Sequence, residues 1–433
     1  MNNEKLTKYN NEDLNSSTHP EKSKFLSLSL YLLLQGQFVS VMGDMIYEIA
    51  LGFWVLAFTG SPALMGILMA TSLLPGVLLA PFAGVVVDRT NRKRLMILTD
   101  LIRGITIILV AIAAFMGILQ LWMVFIAGII LGIGGAFFGP SVMSVFPQMV
   151  PKDKLTNANS LFGMANTGAD ILGNGIGGFL YGLIGAPFMF FLNGLSFLIS
   201  GASLIFAKIP KSRESKITTE NFVSDLKYSL KFVWKLKGLF YILIIFALFS
   251  FLIHIAVVLL IPLFQFTPGL GATKYGIAMA SYTVGVFLGL VVLSSITIRP
   301  NKRAGLMLVS LSISNICLII FALITNFYLM AILLLIAGIT ESVASIFILT
   351  SIQSVVPDDM MGKVMGLVGT ITMALTPVAM ITGGILAEII PIRTIFLVCF
   401  ILSFLVFFNL FLIPSVRKFI NFDPKSQDIK DII

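Results

Sequence analysis

Apolar residues fill the chain in blocks of about twenty or more, each closed by a short polar turn, and the rhythm of those turns sets the architecture. Breaking the sequence at charges, Pro-Gly clusters and polar turns gives twelve apolar segments, at about 26–57, 62–87, 95–116, 121–146, 158–182, 187–207, 239–264, 273–298, 303–325, 328–355, 363–388 and 392–413. As α-helices, all are long enough to cross roughly 30 Å of hydrocarbon. The one long polar connection, 208–238, separates two six-helix halves, 26–207 and 239–414. Polar tails at 1–25 and 415–433 complete the chain. The expected fold class is an all-α membrane protein, with twelve transmembrane helices in two pseudo-symmetric six-helix bundles.

Composition sharpens this picture. Hydrophobic residues make up 58% of the chain and charged residues 11%, whereas an ordinary soluble domain is about 25% charged. A net charge of +9 could point to nucleic acid, but the cations lie in loops between apolar segments, so nucleic-acid binding is discarded. Of the 29 Lys and Arg, all but Lys274, Arg393 and Arg103, which lies within the third segment, fall on the side that holds both chain ends. By the positive-inside rule that side is cytoplasmic. Residues 1–24 are too hydrophilic for a signal-peptide core, so the N-terminus is expected to stay as a disordered cytoplasmic tail. Cys317 and Cys399 lie in apolar segments with no partner pattern, so neither a disulfide framework nor a metal site is indicated.

The halves repeat one another. At an offset of 206, Gly132 falls on Gly338, Val150-Pro151 on Val356-Pro357, Asp153 on Asp359, and Gly177-Gly178 on Gly383-Gly384. At an offset of 210, Gly66-Ile67 falls on Gly276-Ile277 and Asn91-Arg92-Lys93 on Asn301-Lys302-Arg303. A duplicated six-helix unit explains both frames.

The turn after the second segment, Gly84-Val85-Val86-Val87-Asp88-Arg89-Thr90-Asn91-Arg92-Lys93-Arg94, carries one carboxylate and four cations. Its pattern G-x-x-x-D-R-x-x-R-K resembles the loop between helices 2 and 3 of the major facilitator superfamily, filled by Gly84, Asp88, Arg89, Arg92 and Lys93. That resemblance implies a latch: the Asp meets the cytoplasmic N-terminal end of helix 11, where a helix dipole favours an anion, and holds the two halves in the outward-facing state. The alternative is that the cations fix topology alone and Asp88 is their counter-charge. The second copy has Ile298 where the first has Asp88, so one latch loop is complete.

Nothing in the sequence points to an enzyme or a cofactor. His19 and His254 are the two histidines, and no phosphate-cradling Gly-rich loop follows a strand. The informative residues are ionisable groups inside apolar segments, each costing several kcal/mol unless it meets a partner or water. Asp44 and Glu48 are four apart and share a helical face; two carboxylates taken out of water together can hold a proton near neutral pH, as a proton carrier must. Asp170, between Gly168 and Gly173, can line a central cavity. Glu341 and His254 are further candidates for substrate or proton. For each, the alternative is a packing role in hydrogen bonds between helices. Asp100 and Arg103, three apart, are expected to pair locally and buttress the latch.

Gly173-Asn174-Gly175-Ile176-Gly177-Gly178 resembles the G-P-x-x-G-G antiporter signature of drug exporters, with Asn174 in place of the Pro. Gly173, Gly177 and Gly178, like Gly383, Gly384 and a kink at Pro377 in the other half, permit close helix packing. The cation that many proton-coupled exporters carry in helix 4 is absent, since 120–147 contains none. The latch, the phrase Val150-Pro151-Lys152-Asp153-Lys154-Leu155-Thr156, Lys237-Gly238-Leu239-Phe240, and Gly362 to Gly369 with Pro377 together resemble the macrolide-efflux branch of the superfamily, which is similar to the enterobactin exporters. The resemblance implies a monomeric exporter in the bacterial plasma membrane, moving a hydrophobic small molecule such as a macrolide or siderophore in exchange for protons. A lipid transporter without proton coupling and a non-transporting sensor or scaffold are the alternatives.

Overall fold

The computed structural model of the chain describes residues 27–151, 154–209, 234, 236–296, 298–356, 358–423 and 427. The N-terminal tail, most of the 208–238 connection, Asp153 and nearly all of the chain after 423 lie outside the described residues. The first half comprises α1 (Leu28–Thr59), α2 (Pro62–Arg89), α3 (Arg92–Phe115), α4 (Leu121–Val145) and α5 (Leu155–Phe206). The second comprises α6 (Lys237–Phe266), α7 (Ala272–Ser294), α8 (Arg303–Leu323), α9 (Phe327–Val355), α10 (Asp358–Ala374), α11 (Thr376–Ile389), α12 (Ile392–Leu412) and a short α13 (Pro414–Ile420). The described residues contain no strand. Backbone hydrogen bonding inside hydrocarbon leaves helices as the solution for an open chain.

Polar side chains in the turns start several helices. Ser27, Ser61, Asn91 and Asn326 each accept a hydrogen bond from the backbone N–H three residues on, at 3.2, 3.2, 3.1 and 3.2 Å, satisfying donors that a helix N-terminus leaves free.

One boundary differs from the hydropathy reading. The fifth and sixth predicted segments are the two arms of α5, which together run 52 residues, about 78 Å at 1.5 Å per residue and far longer than one crossing. Its backbone leaves the helical region at Gly185 (φ 72°, ψ 172°), two residues before Pro187, so it crosses twice. Among the described residues eleven helical stretches are long and apolar enough to span a membrane, and this double crossing makes twelve spans. The eleventh predicted segment breaks at Leu375, between α10 and α11, where Pro377 lacks the N–H that would continue the ladder. Past the last span, 414–420 is a docked helix rather than free tail, because Val416, Phe419 and Ile420 are buried. Phe419 packs on Gly238 at the start of α6.

Packing is different at the two ends of the molecule. At the end away from the cationic loop, one apolar cluster runs through both halves, joining Phe53, Met65 and Phe190 to Phe264, Tyr275, Met330 and Phe396. Tyr275 of α7 meets Phe53 of α1 edge-on, with ring centroids 5.6 Å apart. At the cation-rich end the core divides. Leu30, Met96, Val145 and Leu204 pack in the first half, and Leu239, Met307, Val355 and Phe419 pack separately in the second.

The seam at the closed end is made largely of backbone. A methyl placed on Gly276 of α7 would fall 2.7 Å from the Asn174 carbonyl and 2.9 Å from Cα of Gly178, both on α5. Gly66 of α2 meets Gly384 of α11 in the same manner. Next to it, Glu388 of α11 accepts from the Ser61 hydroxyl at 2.5 Å and from the Ala63 N–H at 3.2 Å, placing a carboxylate on the N-terminus of α2. The duplication also appears in contact geometry. Gly132 of α4 sits against the Ser72 carbonyl of α2, and Gly338 of α9 sits against the Tyr282 carbonyl of α7, so the two frames found in the sequence bring matching positions together.

A bulky residue in the seam therefore has nowhere to go. Gly276→Val should destabilise the protein by about 1–3 kcal/mol, the usual cost of overpacking, while Gly135→Ala, which faces open space, should be neutral. Thermal melts of the two purified variants check this.

Candidate functional site

The site is built on the middle of α1, the helix most enclosed by its neighbours. Gly43 lets α1 approach the buried Asn193 and Ser196 on the second arm of α5, and Tyr47 packs against Phe190 with centroids 5.5 Å apart. This fixes the face carrying Asp44 and Glu48. Asp44 is partly buried and lies within electrostatic reach of Arg103 and Asp100 of α3, with the Asn193 carboxamide turned toward it. Glu48, one turn further, is exposed and close enough to interact with both Asp44 and Asp170 of α5. Tyr275 of α7 also senses Glu48. Glu48 is thus open to solvent while its neighbours come from α1, α5 and α7. The fold thus brings three of the carboxylates singled out by sequence, Asp44, Glu48 and Asp170, into one acidic cluster.

The other two candidates sit in the second half. Glu341 of α9 accepts a 2.8 Å hydrogen bond from the Tyr282 hydroxyl of α7. Sequence alone did not single out Tyr282, because its partner is 59 residues away. His254 of α6 turns back on its own helix, with Nδ1 2.7 Å from the Ser250 carbonyl and 3.2 Å from the Ser250 hydroxyl.

In the 84–94 loop, Lys93 bonds within its own half. Arg89 ends α2, exposed, and Gly84 faces open space; the Asp88 side chain lies outside the described residues. Arg92 is buried. Lys93 donates to the carbonyls of Ile205 and Ala207, at 2.7 Å each, at the C-terminus of α5. An ammonium there satisfies carbonyls that have no helical partner and complements the helix dipole. Arg393, at the start of α12, does the same for α8, donating from Nη1 to the Ala322 and Ile324 carbonyls at 3.0 and 2.6 Å. In the sequence Lys93 stood in the latch pattern and Arg393 as one of the two charges on the side opposite the chain ends. The available signal was a cation in the first turn of a helix whose antiparallel neighbour ends beside it.

Asp100 and Arg103 form the ion pair that their spacing predicts, but away from the loop. Both are buried, and the guanidinium carbon lies 4.7 Å and 4.3 Å from the ring centroids of Phe138 and Phe197. The pair belongs to the interior beside Asp44.

The glycines of the antiporter-like stretch serve two faces of α5. Gly173 and Gly177 contact Met45 and Ile49 of α1, and Gly178 contacts α7. Asn174, in the place of the signature proline, donates to the Asp170 carbonyl at 2.9 Å, so the helix continues through that position. In the other half, Gly383 meets Ile255 of α6, Gly384 meets Pro62 and Ala63 of α2, and Pro377 is buried at the start of α11.

Two stretches, 33–377 and 269–430, match the sequence profile of the Major Facilitator Superfamily. The chain belongs to that superfamily. It is accordingly a multi-pass membrane transporter and not an enzyme. Among superfamily relatives, macrolide efflux protein A of Streptococcus pyogenes is 26% identical over 381 residues, which is 87% of this chain and 94% of that one. The multidrug efflux pump Tap of Mycolicibacterium fortuitum is 23% identical over 376 residues, covering 85% and 91%. A bacterial homologue of the iron transporter ferroportin, solved in an inward-facing state, superposes with a TM-score of 0.66 at 18% identity, covering 88% of this chain and 98% of that one. The D-xylose-proton symporter superposes with a TM-score of 0.66 at 14% identity, covering 87% and 96%.

If Lys93 is a helix clamp as well as a topology charge, Lys93→Met should cost about 1–2 kcal/mol from two lost charge-assisted hydrogen bonds. The exposed neighbour change Arg94→Met should cost nothing measurable. Unfolding midpoints of the two variants separate these outcomes.

Proposed function

We propose that the protein exports a hydrophobic small molecule, of the macrolide or siderophore kind, from a bacterial cell by alternating access, in exchange for protons. The observation that carries this reading is the acidic cluster of Asp44, Glu48 and Asp170, with Glu48 open to solvent, midway along helices that cross hydrocarbon. Carboxylates persist at such depth where they meet water, a cation or a proton. The same cluster favours a substrate with a cationic group on an apolar body. The efflux relatives support the direction of transport.

The positive-inside rule puts both termini and the 84–94 loop in the cytoplasm. The end where the core divides then faces the cytoplasm, and this is the loading state. In the opposite state the 84–94 loop meets the start of α10, with Asp88 at its N-terminus and the remaining cations holding the loop to the helix ends. Here Lys93 keeps its bonds to α5 and the loop moves with the first half.

A second reading, movement of a lipid, draws on a cleft of about 340 Å³ between α6 and α10, lined by Trp234, Phe240, Leu248, Leu367 and Leu375. One experiment separates them. In cells lacking other pumps, expression should lower accumulation of a macrolide, and a protonophore should abolish the effect. Lipid movement insensitive to the protonophore would support the second reading, and absence of any flux would leave a sensor or scaffold.

In the same assay Asp88→Asn should impair export at normal membrane abundance; full export in that variant removes the latch. Asp44→Asn should flatten the dependence of export on pH, and an unaltered pH profile excludes Asp44 as the proton site.

A further inference from the structure

Alternating access through an acidic cavity leaves one buried ion pair without a task. Asp100 and Arg103 are 0% and 6% exposed, in the interior of the first half. The guanidinium is held between Phe138 and Phe197 and fills the space left by Gly134, where a methyl would fall 2.7 Å from its Cδ. Aromatic faces on two helices fix this cation in place. Its Nε has no hydrogen-bond partner among the described residues, so Asp100 does not use up its capacity.

Asp44 stands across from this pair. Its neighbour Gly43 lies against Ser196 of α5, next to the Phe197 ring on which Arg103 sits. Within electrostatic reach of Asp44 are Arg103 and Asp100 from α3, Asn193 from α5, and Tyr47 and Glu48 on its own helix. Beyond Glu48 lie Asp170 of α5 and Tyr275 of α7. From α4 the pair is met by Phe138 and Gly134, which carry no charge.

We propose that Arg103 and Asp100 are positioning residues for ion coupling: with Asp44 they form a trio of two carboxylates and one guanidinium that has room for a single added positive charge. The inference rests on Asp44 as the proton site. With Asp44 ionised, the trio carries a net charge of minus one in surroundings that penalise net charge. One positive charge, either a proton on Asp44 or a cationic group of the substrate beside it, brings the trio to neutrality. Within the trio a second would overshoot, so a proton on Asp44 and a cationic group beside it compete, as exchange requires. Arg103 thereby supplies from α3 the intramembrane cation that α4 lacks. Glu48 and Asp170 add the same background charge in every variant considered below and leave the direction of each change intact.

The test reads protonation directly and needs no substrate. Infrared spectra of the purified protein in lipid vesicles, titrated over pH, contain a protonated-carboxyl band that disappears in Asp44→Asn. In Asp100→Asn the trio is neutral with Asp44 ionised, so that band should form only at lower pH, displaced by about 1–3 pH units. In Arg103→Gln two carboxylates lose their cation, and the band should persist to higher pH by a similar amount. The double variant Asp100→Asn with Arg103→Gln restores the charge count and should titrate like the unaltered protein; Arg103→Lys should also stay close to it. A role in packing alone does not predict opposite displacements that cancel. Single variants moving the same way, or none moving, overturn the assignment while leaving Asp44 as a proton site. No Asp44-dependent band at any pH overturns both. Should Arg103→Gln not fold, comparison of Asp100→Asn with the double variant still decides, because adding the second change must move the band back to higher pH.

Discussion

A charge inside hydrocarbon must meet a counter-charge, a hydrogen-bond donor or water, and this constraint organises the chain. Near the ends of the bundle, Lys93 and Arg393 meet it by capping helices that finish beside them, and Glu388 by accepting at the start of α2. In the interior, Asp100 meets it with Arg103 and Glu341 with Tyr282. Asp44, Glu48 and Asp170 meet it differently. They gather where the halves face each other, with Glu48 open to solvent, and each has another carboxylate as a neighbour.

The packing divides along the same axis. One continuous apolar core binds both halves at one end, and two separate cores leave them apart at the other. An end held together by shared burial is closed, and an end where each half buries its own surface can part without exposing new apolar area. The same logic explains why the glycines concentrate where they do. They let α5 lie against α1 and α7 at once, so one helix links the acidic cluster to the seam between the halves.

Much of this was legible in the sequence because hydropathy and loop charge are local signals. The twelve crossings, the two halves and the repeat were all readable, and the offsets that carry Gly132 to Gly338 and Ser72 to Tyr282 carry one helix contact onto the other. The turn inside α5 was readable as well, since Gly185 and Pro187 fall at the break between the fifth and sixth predicted segments. The i, i+4 spacing placed Asp44 and Glu48 together, and the i, i+3 spacing placed Asp100 beside Arg103. What spacing could not supply was the relation between those pairs, or the meeting of Glu388 with Ser61, because each depends on how separate helices are brought together. The position of Arg103 shows the difference. Counted from the loop it belongs to the latch, whereas the packing of α3 against α4 and α5 turns it inward between two phenylalanine rings.

The closed end has one more implication. Where Gly178 lies on Gly276, and Gly66 on Gly384, the touching surfaces have no rotamers to freeze or release. At those crossings the fit is set by backbone and costs no side-chain freedom, whereas the ring of Tyr275 against Phe53 beside them has to be placed.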